Sequence, residues 1–228
     1  MITSRPARVA LGLAVSAGVA LLALFAGHVA PLPDDGFVPG SFVTHAVMLV
    51  LSLAIIRLVF RRSLADFGFT RGTYRFKPNI LLWVLPTAAL SLLSMLAPGG
   101  GESTDVLTWR SVLHRVVFVW IWASFCEEVL TRGLLQTLLS TDGEVRPRAA
   151  RFSIPVVVSG LFFGAMHLVL VKSMGAMAAV PIALATLLGF LAARYRELTG
   201  SLIPAVIVHV LFNVGGMLPG WIVRWAAG

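Results

Sequence analysis

The sequence has 228 residues, of which 58% are hydrophobic and only 12% charged, with a mean hydropathy of +0.91. A soluble domain carries about 25% charged residues, so the balance excludes an ordinary soluble domain and specifies an integral membrane protein of one compact helical domain. The formal charge of +8 does not mark a nucleic-acid binder, because the basic residues stand in short clusters at the ends of apolar runs, as topology signals do.

A membrane-crossing helix needs about 20 mainly apolar residues. The first such run covers 9–30, behind Arg5 and Arg8. Its basic start and small-residue end at Gly27 to Ala30 also fit a cleavable signal peptide, but the run is long for one. The second run, 41–60, ends among Arg57, Arg61 and Arg62. Segment 63–78 interleaves Arg71, Arg75 and Lys77 with Phe67, Phe69, Tyr74 and Phe76. It reads as a basic amphipathic loop on an anionic leaflet, or as an ordinary basic cytoplasmic loop. The third run, 79–97, contains Pro86 as an expected kink. Pro98 and the glycines after it break the chain, and Glu102 and Asp105 make that loop acidic.

The fourth helix is expected over 109–140, ended by Asp142 and Gly143, with Arg146, Arg148 and Arg151 beyond. Runs five to seven cover 153–171, 176–193 and 201–218, with Pro219 and Gly220 expected to stop the last. The tail then carries Trp221, Arg224 and Trp225 as an interfacial anchor. Threading these runs from a cytoplasmic N-terminus leaves only Arg110, Arg115, Lys172 and Arg224 on the far side and Arg132 at membrane depth. The expectation is an all-α polytopic bundle of about seven spans (six if 9–30 is removed), N-terminus cytoplasmic. Residues 1–108 form the N-terminal spans and the 63–78 loop, 109–218 a functional helical core, and 219–228 an interfacial tail.

Ionisable residues at membrane depth are costly and tend to be paired, inward-facing and functional. Glu127 and Glu128 are adjacent, so their side chains point about 100° apart on a helix and cannot share one job. Glu128 precedes Arg132 by four residues, the better orientation for an ion pair, which leaves Glu127 as the candidate base. His167 stands alone in the fifth run. His209 and Asn213 share one face of the seventh. At 1.5 Å per residue, Glu127 lies roughly 18–20 Å from the inner end of its helix, His167 roughly 21 Å, and His209 and Asn213 roughly 12 and 18 Å. Three helices thus bring these groups to similar depth. Gly160, Gly164, Gly189 and Gly215 are small enough to let the helices approach. Cys126, the only cysteine, excludes an intrachain disulfide, and beside two carboxylates it is a weak nucleophile candidate.

Glu127-Glu128 with Arg132 four residues on, then Phe163 and His167, then His209 and Asn213, in that order on successive apolar runs, resembles the CPBP family. That family comprises the type II CAAX prenyl proteases and related bacterial proteins, also called Abi or CAAX amino-terminal proteases. The resemblance runs from about Arg110 to Gly216. It departs at Thr131, where many members have an aromatic residue before Arg-Gly. It implies intramembrane hydrolysis of a peptide bond: Glu127 and His167 activate a water, His209 and Asn213 form an oxyanion hole, and Glu128, Arg132 and Phe163 support them.

Metal is a second branch. Glu127, His167 and His209 could hold Zn²⁺ with an open position, but no His-Glu-x-x-His helix occurs and Asn213 is a poor zinc ligand, so a metal-free glutamate mechanism is favoured. The expected partners are the bilayer and a membrane-associated or lipidated protein or peptide, at a bacterial inner membrane. The competing class is a non-enzymatic immunity or scaffold protein binding a peptide in the same cavity. A proton-coupled carrier lacks the inverted repeat many carriers show.

Overall fold

The computed structural model describes residues 4–30, 38–72, 80–96, 108–140 and 152–227. Every element among them is helical. We label the long helices α1 (Arg5–Val29), α2 (Gly40–Val59), α3 (Ile80–Leu96), α4 (residues 109–139), α5 (Ile154–Met166), α6 (Ala179–Thr199) and α7 (Ile203–Ala227). Among the described residues, four stretches are long and apolar enough to cross a membrane: α1, α2, Ile154–Thr199 taken through its bend, and Ile203–Ala226. With the large apolar side chains exposed on them, among them Leu21, Phe25, Val50, Leu161 and Leu187, these surfaces suit lipid rather than water.

The helix starts follow local chemistry. Ser4 caps α1 and Ser153 caps α5, each with a proline in the first turn, where its missing N–H costs nothing. Thr108 and Ser111 form a reciprocal capping box at the start of α4, with bonds of 3.0 and 3.1 Å; each satisfies a donor that the helix itself cannot.

Two apolar cores flank α4. On one side Val19, Ala20 and Ala23 of α1 pack with Met48 and Ile56 of α2, Phe67, and Leu130 and Leu134 of α4. On the other, Trp83, Phe163, Ala185, Leu188, Val208 and Phe212 join α3, α5, α6 and α7. The helices of this second group cross closely because glycines stand at the crossings, as the sequence leads one to expect. A Cβ on Gly189 would lie 2.7 Å from the Gly160 carbonyl oxygen, and one on Gly215 would lie 2.7 Å from that of Val84; both are inside van der Waals contact.

α4 is not a uniform α-helix. It widens to π-helical turns at Arg115–Ala123 and again at Val129–Leu135. Wide turns loosen the carbonyl ladder and occur at functional sites. Here side chains from other helices claim carbonyls of both: Asn213 Nδ2 donates to Val119 O at 3.4 Å, and Ser159 Oγ donates to Thr131 O at 3.0 Å.

Three sequence expectations are corrected. α7 does not stop at Pro219 and Gly220 but runs to Ala227. Trp221 is therefore buried, stacked on Trp120 at 5.2 Å, and of the two tail tryptophans only Trp225 is exposed. Phe67, expected among the aromatics of an interfacial loop, is a core residue. The single turn Ala65–Phe67 places it there, and Gly68, at φ +93°, turns the chain so that its carbonyl accepts from Leu202 N at 2.9 Å. Tyr74, Arg75, Phe76 and Lys77 lie outside the described residues, as do Glu102, Asp105, Asp142, Gly143, Arg146, Arg148 and Arg151.

Candidate active site

The two adjacent carboxylates of α4 enter different surroundings, as helical geometry requires. Glu128 is fully buried. Its Oε1 accepts from Arg132 Nη1 at 3.0 Å, the pairing that the four-residue spacing calls for, and from His209 Nδ1 at 2.9 Å. Arg132, also fully buried, donates from Nη2 to Gly189 O at 2.8 Å and from Nη1 to Thr131 Oγ1. Its guanidinium carbon lies 4.6 Å from the centre of the Phe163 ring, within range of a cation–π attraction. A buried ion pair needs further hydrogen bonds to be tolerable; α4, α6 and α7 supply them here, while Glu128 Oε2 and Arg132 Nε have no hydrogen-bond partner among the described residues.

Thr131 is thus more than a departure from a motif. Its hydroxyl donates to Glu127 O at 2.6 Å and accepts from Arg132. A phenylalanine there could do neither.

Glu127 faces away from this network. Its Oε1 lies 3.1 Å from Nε2 of His45 on α2, and its Oε2 lies 3.8 Å from Nε2 of His209. The sequence reading left Glu127 without a local partner and turned it toward His167; its direct partner is His45. His45 was missed, yet the depth arithmetic would have caught it. Fifteen residues before Phe60, it lies about 22 Å from the inner end of α2, the depth of the other groups.

His167 is placed by the end of α5. The helix closes at Met166 and tightens to a 3₁₀ turn, His167–Leu170. There Nδ1 donates to Phe163 O at 2.9 Å, which leaves Nε2 as the nitrogen available for chemistry. Phe163 stands between the histidines, its ring centre 4.9 Å from that of His167 and 5.3 Å, edge-on, from that of His209. Asn213 Nδ2 donates to Ser124 Oγ at 3.0 Å and, more weakly, to Val119 O.

Phe163, His167, His209 and Asn213 all line one cavity of about 590 Å³, within the range of small-ligand sites. The rest of its wall is largely apolar, including Leu90, Leu184, Leu188 and Met177. Glu127 lies one contact back from this wall, against His209. Among the described residues no three His, Cys, Asp or Glu side chains are grouped to hold a metal ion. Cys126 is fully buried.

Residues 109–215 match the family model described as type II CAAX prenyl endopeptidase, Rce1-like. The matched stretch holds every site residue named from the sequence, and His45 falls outside it. No curated protein and no solved structure matches the chain.

Proposed function

We propose that this chain, whose residues 109–215 match the Rce1-like type II CAAX prenyl endopeptidase model, hydrolyses a peptide bond within the membrane by a metal-free glutamate mechanism. The reading is carried by the convergence of His167, His209 and Asn213 on one apolar cavity with Glu127 directly behind them. A substrate segment enters the cavity and presents its scissile carbonyl to this polar end. Glu127 takes a proton from a water that His167 helps to orient, and the water oxygen bonds to the carbonyl carbon. The resulting oxyanion is met by Nδ2–H of Asn213 and by His209, whose Nδ1 already donates to Glu128 and which offers an Nε2–H when both ring nitrogens carry a proton; such an intermediate needs preorganised donors. For Asn213, the bond exchanged is the longer one, to Val119 O. Collapse breaks the C–N bond, and the leaving amine takes up the proton held by Glu127.

The largely apolar wall suits a hydrophobic or lipidated tail rather than a polar peptide. The protein then spans the membrane about seven times with its N-terminus cytoplasmic, in a bacterial inner membrane. Its test is reconstitution in liposomes with internally quenched peptides bearing apolar C-terminal tails, with and without an S-farnesyl cysteine. Cleavage should survive chelation, and His167→Ala and His209→Ala should each lower it about 10²–10⁴-fold. Zinc bound stoichiometrically and lost together with activity would overturn the metal-free mechanism. Binding of the peptides without cleavage would move the chain to the immunity or scaffold class.

A further inference from the structure

We infer that His45 on α2, outside the stretch that matches the family, is the positioning residue for Glu127; the inference rests on the endopeptidase reading above. His45 Nδ1 lies 2.6 Å from the carbonyl oxygen of Ser41, one turn earlier on its own helix. A carbonyl only accepts, so Nδ1 carries a proton and donates it. The opposite nitrogen, Nε2, lies 3.1 Å from Glu127 Oε1. Two bare acceptors would repel at that distance, so a proton lies between them, on the imidazole or on the acid. In both cases the couple carries no net charge, which a site screened from water favours. In both cases Oε1 is occupied.

The consequence is directional. With Oε1 held by His45, Oε2 is the oxygen turned toward His209 Nε2, 3.8 Å away, at the back of the cavity wall. His45 thus fixes the plane of the carboxylate and selects which oxygen meets the water. Its own position is fixed from two sides. The Ser41 carbonyl orients the ring, and Phe42 locks this end of α2 to α4, stacked on Trp122 at 5.3 Å and edge-on to Phe118 at 5.8 Å. α2 therefore contributes a residue to a site whose other members all lie on α4, α5 and α7.

The test compares His45→Ala, His45→Asn and His45→Gln with wild type on a quenched peptide that wild type cleaves. A glutamine amide can reach where Nε2 reaches; an asparagine amide of similar bulk cannot. The Ala and Asn variants should lose about 10²-fold in kcat, the cost of about an ångström of misplacement, with KM unchanged. Gln should retain most of the rate, and added imidazole should restore the Ala variant. Equal losses in Asn and Gln, or a raised KM with kcat intact, would assign His45 to packing and overturn the inference. Should wild type cleave none of the peptides, the endopeptidase reading has failed on its own. His45 is then judged by a double-mutant cycle on the unfolding midpoint with His45→Ala and Glu127→Ala: losses smaller than additive uphold the contact, and additive losses remove it.

Discussion

One residue separates two very different acids on α4. Glu128 is sealed, with an arginine and a histidine on one carboxylate oxygen and no exposure to the cavity. Glu127 keeps a small exposed fraction, shares one oxygen with His45 and points the other toward His209 near the cavity wall. The same side chain is a structural counter-ion in one place and a candidate base in the next. Burial does not decide this, since both are largely inside the protein. What decides it is where the second oxygen faces: Glu128 Oε2 is buried without a hydrogen-bond partner among the described residues, whereas Glu127 Oε2 turns toward His209 at the cavity wall. His209 bridges the two regions, with Nδ1 on the sealed acid and Nε2 toward the open one. The sealed network thereby sets the orientation of a ring whose other nitrogen faces the open region.

The strongest way to break this comparison is to remove the sealed arginine. Arg132→Met strands Glu128 without its cation, and removing one partner of a buried pair costs about 3–5 kcal/mol. It should lower the unfolding midpoint in detergent and the steady-state level in membranes. Glu127→Gln should leave both near wild type while cleavage is lost. If the two variants destabilise equally, Glu127 belongs to the structural network and the distinction falls.

A smaller effect sharpens the link between packing and the sealed network. Gly189→Ala adds a Cβ against the backbone of Gly160 and forces α6 from α5, moving the carbonyl that Arg132 Nη2 uses. Overpacking of this kind costs about 1–3 kcal/mol, read as a lower unfolding midpoint. An unchanged midpoint would show that α5 and α6 have room to separate.

The smallest effect concerns an acid outside the membrane, the baseline for both. Asp66 accepts from Ser63 N at 3.2 Å and from Arg62 Nε at 3.3 Å, while its own N–H donates to Ser63 Oγ. The Ser63 bonds foremost, then the charge of Arg62, hold its carboxyl below the ordinary value of 3.8. A lowered folded-state value means that its contribution is complete above the ordinary range and is lost as pH falls through the lower value. The turn at 63–67 should therefore exchange amide hydrogens faster only in strong acid. Asp66→Asn should abolish that pH dependence without altering cleavage.

How much of this was legible beforehand differs by residue. Glu128 with Arg132 follows from a four-residue spacing. The shared depth of Glu127, His167, His209 and Asn213 follows from the rise of a helix, and the close crossings from the glycines. Thr131 looked like a bystander because a hydroxyl's partners depend on where a wide turn leaves the backbone. Phe67 and Trp221 read as lipid-facing aromatics. An aromatic beside a basic residue has the same local pattern whether it turns toward lipid or into a core, and only the neighbouring helices choose.

The sequence by itself determined a helical membrane protein, the order of its apolar runs, and the set of polar residues too costly to keep at membrane depth without purpose. Those properties are local, fixed by composition, spacing and the length of a turn. The tertiary structure alone decided that α2 supplies His45 to Glu127, that His209 joins the two acids, and that an apolar cavity opens in front of them. Each of these depends on the relative rotation of helices distant in the chain. A helix's own pattern says which face is polar, and only its packing says what that face meets.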